Sequence, residues 1–188
     1  ANTQFFRFVK NNYKKWINGE DAPMLSHNLM RKNVFTHLKE NQPIYFILID
    51  NLRFDQWKVI EPEILNDFRV KKEEIYYSIL PTATQYSRNA IFSGMLPSEM
   101  EKRFPGKWKN DEDEGGKNMF EEDFLRDQLQ RLGHGDYKMS YSKITNINFG
   151  KKVVNQIGNM KHNHLNVIVY NFVDMLSHSL IIDWKFFE

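Results

Sequence analysis

Pro43-Ile44-Tyr45-Phe46-Ile47-Leu48-Ile49-Asp50 is the stretch on which the class of the fold turns. Six apolar residues run unbroken between a proline, which cannot donate to a ladder, and an aspartate. A half-exposed strand would alternate apolar with polar residues. Here both faces are apolar, which predicts an interior strand of a parallel sheet covered by helices.

Forward from that strand, Phe54, Trp57, Ile60, Ile64, Leu65 and Phe68 fall on one side of a helix. A second strand is expected over about Glu74–Leu80, leading to Pro81-Thr82-Ala83-Thr84 and a helix that ends near Gly94. Residues Lys102 to Lys117 include Asp111-Glu112-Asp113-Glu114-Gly115-Gly116 and read as an exposed insertion loop. Phe120, Phe124, Leu125, Leu129 and Leu132 then mark an amphipathic helix capped near Gly133. A short strand near Tyr137–Tyr141 and a polar helix around Lys151–Met160 precede a third clear strand, Leu165 to Phe172, which runs into Val173-Asp174. Strands alternating with helices indicate a βαβ arrangement, an α/β fold with a mostly parallel sheet flanked by helices.

Backward from Pro43 the pattern is helical. Phe5, Phe6, Val9, Tyr13, Trp16 and Ile17 recur at helical spacing up to Gly19, and core packing is the ordinary fate of such residues. A second helix is expected from roughly Pro23 to Lys39, offering Leu25, Leu29, Val34, Phe35 and Leu38. The chain therefore divides into a helical linker region, 1–40, and an α/β region, 41–188.

Composition narrows the function. With 188 residues, 41% of them apolar and 14% aromatic, the chain can bury a real core. Lys and Arg number 26 against 24 Asp and Glu, so nothing pulls the whole molecule towards nucleic acid or membrane. An anionic ligand must be held by a local site. The absence of cysteine excludes disulfides and thiolate metal sites. No apolar run reaches the ~18 residues of a membrane span, and the first residues are polar and amphipathic, unlike a signal peptide. A cytoplasmic location without a membrane partner is the expectation. The aromatic stretch Trp184-Lys185-Phe186-Phe187-Glu188 carries no stop signal, and a longer protein is expected around this piece.

In open α/β sheets ligands bind outside the carboxyl ends of the strands. Asp50, Thr84 and Asp174 fall at such positions, and His178 follows Asp174 at the i, i+4 spacing that sets carboxylate and imidazole on one helical face. Each has a plainer reading. Asp50 and Thr84 can cap the helices that follow them, and Asp174 with His178 can be a surface pair. His27, His37, His134, His162 and His164 have no ligand-like context.

Taken together, the motifs resemble a known family. Pro81-Thr82-Ala83-Thr84-Gln85-Tyr86-Ser87-Arg88, running on to Phe92-Ser93-Gly94-Met95-Leu96-Pro97, resembles the nucleophile segment of the alkaline-phosphatase superfamily. Its Thr-x-x-Ser-Arg form is that of the PglZ branch. The strand ending in Ile49-Asp50 resembles the family's first metal-binding strand, and Asn171-Phe172-Val173-Asp174-Met175-Leu176-Ser177-His178 resembles its Asp-x-x-x-His pair. The two N-terminal helices are similar to the linker of PorX-like response regulators of the type IX secretion system.

The resemblance implies an alkaline-phosphatase-like fold, incomplete at the C-terminus, and a metal-dependent phosphoesterase. Its substrate would be a phosphate mono- or diester, nucleotides included. Thr84 would be the nucleophile. Asp50 and Thr84 would contact one divalent cation and Asp174 and His178 a second, the ions being zinc or, alternatively, manganese. Arg88 would reach the phosphate or pair with a carboxylate, and Asn51 and Asn171 are lesser candidates for the phosphate oxygens. The family completes its site with an Asp-His-Gly segment and a further histidine, and no Asp-His dipeptide occurs in this sequence. Those ligands are expected in the longer protein, together with an N-terminal receiver domain; a homodimer is left open. The competing expectations are a nucleotide- or partner-binding signalling module with little turnover, and a scaffold whose strand-end residues are only caps.

Overall fold

A computed structural model describes residues 1–109, 116 and 118–171. Its helices are α1 (Asn2–Ile17), α2 (Phe54–Leu65), α3 (Thr84–Ser93), α4 (Pro97–Arg103), α5 (Glu121–Arg131) and α6 (Ile147–Met160). Its strands are β1 (Ile44–Ile49), β2 (Met139–Ile144) and β3 (Leu165–Tyr170). The chain divides into two compact units, one made of Ala1–Asn33 with Glu74–Gly133, the other of Val34–Glu73 with the chain from His134 onward.

The second unit holds an all-parallel sheet of order β1-β3-β2. Ile44 and Met139 both pair with Leu165, and Ile49 and Ile144 both pair with Tyr170, so the three strands run level. The central strand is β3, buried from Leu165 to Val169. Its one polar residue in that run, Asn166, is fully buried and satisfied: Ser140 Oγ (2.7 Å) and Asn163 Nδ2 (2.9 Å) donate to its Oδ1, and its Nδ2 donates to Met160 O (2.9 Å). The amphipathic α6 packs Val153 and Met160 against Ile144 and Ile168. Asn146 caps that helix by accepting a 2.9 Å hydrogen bond from Phe149 N, so it begins at Ile147, four residues before Lys151.

Three sequence expectations change here. Strand β1 has the expected bounds but lies at the edge of the described sheet, with Tyr45 and Ile47 exposed on one face. The interior place goes to β3, whose partners flank it on both sides. Strand β2 begins at Met139 and not at Tyr137, because Tyr137 turns back to His134 and its ring stacks on His164 at 4.5 Å. Helix α2 forms where its spacing predicts, yet none of its residues is fully buried, and Phe54 and Phe68 are largely exposed.

In the first unit, α3 and α5 carry the core. Phe92 on α3 and Phe124 on α5 are fully buried, and full burial of such a ring contributes roughly 1.5–3 kcal/mol. Leu25, Ile79 and Ala90 form a second buried cluster, with Trp16, Ile17, Tyr86 and Leu96 packed around it. Helix α1 ends at Ile17, just before Gly19, but it buries no residue; Phe5 and Phe6 are exposed, and only its C-terminal end joins the core through Trp16 and Ile17.

The single helix expected over Pro23–Lys39 is instead a chain of short turns, Ser26–Asn28, Met30–Val34 and Phe35–His37. Its beginning is extended because Met24 O accepts from Tyr77 N (2.8 Å) and Ser26 N donates to Tyr77 O (3.2 Å). The strand expected over Glu74–Leu80 is likewise reduced to that one bridge. Beyond it, Ile79 N donates to Ser26 Oγ and Leu80 N to Tyr13 Oη, so side chains take the place of a ladder. In the expected insertion loop, α4 extends to Arg103 and Trp108 is buried, so the segment is not exposed throughout; residues 110–115 and 117 lie outside the described residues. Among the described residues no helix is long and apolar enough to cross a membrane.

Candidate active site

Thr84 is the first residue of α3. Pro81 and the extended Ala83 deliver the chain to the helix, and Ala83 offers no side chain to cap it. Ala83 O accepts from Tyr86 N (2.9 Å) and Ser87 N (3.0 Å), which closes the first turn. Ser87 Oγ donates to Thr82 O and Ala83 O, both at 3.3 Å, and pins the entering loop. The Thr84 side chain is exposed at this end. An uncapped helix N-terminus directs N–H dipoles at whatever binds there and favours an anion.

The rest of α3 is anchored inward. From Arg88 to Ser93 every residue is buried. Arg88 Nε donates to Glu121 Oε1, with the two side chains 6% and 1% exposed. Arg88 is thus paired with a carboxylate within the core of its unit. Asn118 Nδ2 lies 3.5 Å from both Thr84 O and Glu121 Oε1, so the start of α5 braces the start of α3. At the other end, Gly94 adopts φ +65° as the C-cap, and Arg131 donates to Ser93 O.

Asp50 and Asn171 sit in the other unit, at the carboxyl edge of the parallel sheet. Asp50 N donates to Tyr170 O (3.0 Å) and Asn171 N to Ile144 O (2.9 Å), which continues the ladder one step past each strand. Asp50 is half-buried, and Asn51 turns out of the strand at φ +59°. Asp174 and His178 lie outside the described residues.

The described residues thus bring Asp50, Asn51 and Asn171 to one sheet edge, and Thr84 and Arg88 to one helix. Among them no group of three or more His, Asp or Glu side chains stands ready to hold a metal ion. The two implied ligands that are described fit a divalent cation in their chemistry. A half-buried carboxylate at a strand end and an exposed hydroxyl at a helix start are both oxygen donors at accessible positions.

Glu121 and Asn118 are the residues that sequence reasoning missed. The available signal was Arg88 itself. Arg88 directly precedes the run Asn89-Ala90-Ile91-Phe92, and a charge that is buried beside such a run requires a partner. Sequence alone does not say which of the chain's 24 acids supplies it.

No curated protein matches this chain. A family model does: that of PglZ, the BREX system PglZ alkaline phosphatase-like domain, matches residues 29–188. Covering most of the sequence, including Asp50, Thr84 and the segment that follows β3, this match makes the chain a member of the PglZ family of alkaline phosphatase-like domains, with a phosphoesterase-type fold.

Proposed function

We propose that the full-length protein is a metal-dependent phosphoesterase with Thr84 as its nucleophile. One observation carries the reading: in a chain of an alkaline phosphatase-like family, the hydroxyl at the implied nucleophile position stands exposed on the first residue of an uncapped helix. Asp50 and Thr84 would hold one divalent cation and Asp174 and His178 the other, zinc or manganese. When bound, such ions lower a hydroxyl's pKa and neutralise charge on phosphate oxygens.

The chain's own residues supply the remainder. Thr84 Oγ loses its proton and forms a bond to phosphorus as the bond to the ester's leaving oxygen breaks. The first-turn N–H groups of α3 hold the phosphate oxygens as negative charge gathers on them. Water then cleaves the phosphothreonine ester, returning the hydroxyl and releasing phosphate or a phosphomonoester. Asn51 and Asn171, at the sheet edge, are further donors to those oxygens. Resemblance to PorX-like proteins supports an effector role behind a receiver domain.

The second reading is a module that binds a nucleotide or a partner protein with little turnover. It draws support from Arg88, the only cation of α3, which is committed to Glu121 and not to the exposed helix end. Hydrolysis of bis-p-nitrophenyl phosphate by full-length protein separates the two. The phosphoesterase reading expects activity that chelation removes and that Thr84→Ala reduces ~10³-fold or more. Activity that survives Thr84→Ala would refute the nucleophile.

A further inference from the structure

The second unit has a cleft of its own at the carboxyl edge of the sheet, about 470 Å³ in volume. It is lined where two neighbouring strands stop, by Ile144 of β2 and Tyr170 of β3, and by the first half of α6. Ligands of parallel sheets bind outside this end of the strands. The backbone ties the cleft to the sheet-edge part of the candidate site. Tyr170 O accepts from Asp50 N (3.0 Å), and Ile144 O accepts from Asn171 N (2.9 Å). Asp50 and Asn171 are thus each one hydrogen bond away from a cleft residue.

The lining is mostly apolar. Helix α6 contributes Ile147 and Val154, which are 56% and 65% exposed, so apolar surface stands in water here. Between them Gly150 adds no side chain. A Cβ built on it would meet only Ile144 Cγ2 within 4 Å, at 3.4 Å, so the space is open because this position is glycine. Charge in the cleft has one sign. Lys151 is the single charged residue of the lining; it is exposed, and among the described residues it makes no hydrogen bond or ion pair. Helix α6 carries a second lysine, Lys152, and no acid. An apolar cleft with one uncommitted cation suits an anion with an apolar body. It offers a polar sugar little to bond with.

We propose that this cleft receives the organic group of the phosphate ester, and that the group is apolar, that of an aryl or alkyl alcohol and not of a sugar. Lys151 lies against the negative charge of the ester. The identity of the ligand as an ester substrate rests on the phosphoesterase reading; the preference for an apolar anion does not.

Calorimetric titration of the full-length protein with phenylphosphonate and methylphosphonate tests it, because neither P–C bond is hydrolysed as an ester. Burial of the ring should make phenylphosphonate bind about tenfold or more tightly than methylphosphonate. Gly150→Leu fills the cleft and should remove that difference. Its melting temperature should not fall, since leucine favours the helix more than glycine does. Lys151→Gln, at an exposed position, should weaken phenylphosphonate about threefold. Equal affinities for the two phosphonates would overturn the proposal, as would a preference that survives Gly150→Leu. No binding of either at millimolar concentration, or affinity indifferent to both substitutions, would overturn it too. Hydrolysis of bis-p-nitrophenyl phosphate keeps the two readings apart. Turnover without the phenyl preference overturns the cleft alone, and the preference without turnover overturns the phosphoesterase reading while the cleft stands.

Discussion

Arg88 and Glu121 form an ion pair shut away from solvent, joining the helix that carries Thr84 to the helix packed beside it. Neither charge has access to water, so each depends on the other. Glu121→Ala should destabilise the protein by about 3–5 kcal/mol, as the loss of one member of a buried pair does. Replacing both, Arg88→Met with Glu121→Leu, should cost much less. Urea unfolding of the single and double variants checks this, and a double variant as unstable as the single would show that the cost lies in packing.

Thr82 and Thr84 are two hydroxyls in one loop with different surroundings. Thr82 lies ahead of the helix and gives its carbonyl to Ser87 Oγ, while Thr84 opens the helix. In full-length, metal-loaded protein, Thr82→Ala should retain turnover within about tenfold, against a loss of ~10³-fold or more for Thr84→Ala. Steady-state kinetics on an aryl phosphodiester gives the ranking, and the reverse order would move the nucleophile.

Gly94 holds a left-handed turn directly against Gln128. A Cβ built on it would lie 2.1 Å from Gln128 Nε2, and the backbone there has φ +65°. Gln128 is buried and has little room to yield. Gly94→Ala should therefore cost about 1–3 kcal/mol, from the overlap together with the backbone. Thermal unfolding measures it; an unchanged melting temperature would mean that the amide moves freely.

His27 makes stability depend on pH. Burial lowers its pKa below 6.5, with Arg31 and Lys32 acting the same way and Glu99 opposing them. The unfolded chain then binds this proton more readily than the folded one. The histidine's contribution is fully present above about pH 6.5 and is lost as the pH falls through the folded value. Between pH 8 and pH 5.5 the wild-type melting temperature should fall more steeply than that of His27→Gln. Parallel curves would remove His27 from the account.

What was legible in the sequence was whatever is local. Pro43 and Asp50 bracket β1 because one cannot donate and the other follows the last apolar residue, and the structure keeps those bounds. Thr84 begins a helix and Gly94 ends it, as the turn chemistry at each demands. What failed was set by distant partners. Residues 23–39 have helical spacing, but Met24 and Ser26 give their backbones to Tyr77, far along the chain. A strand is expected over about Glu74–Leu80, yet Ile75 is 83% exposed and in that segment Tyr77 alone finds a bridge partner among the described residues. Of the candidate site, position was legible and pairing was not. Nothing around Arg88 names Glu121.

Because β3 lies between β1 and β2, the sheet has a direction in time as well as in space. The two flanking strands are synthesised first, and among the described residues each pairs in a ladder with Leu165–Tyr170, which arrives last. By then Ala1–Asn33 and Glu74–Gly133 have all left the ribosome and can pack. Ile44–Ile49 thus waits for its described partner strand while the intervening chain is elongated, its apolar edge open to other pairings. Such an edge is an aggregation hazard while it lasts. Slowed translation between Ile49 and Leu165 would lengthen that exposure and increase the chain's demand for chaperones.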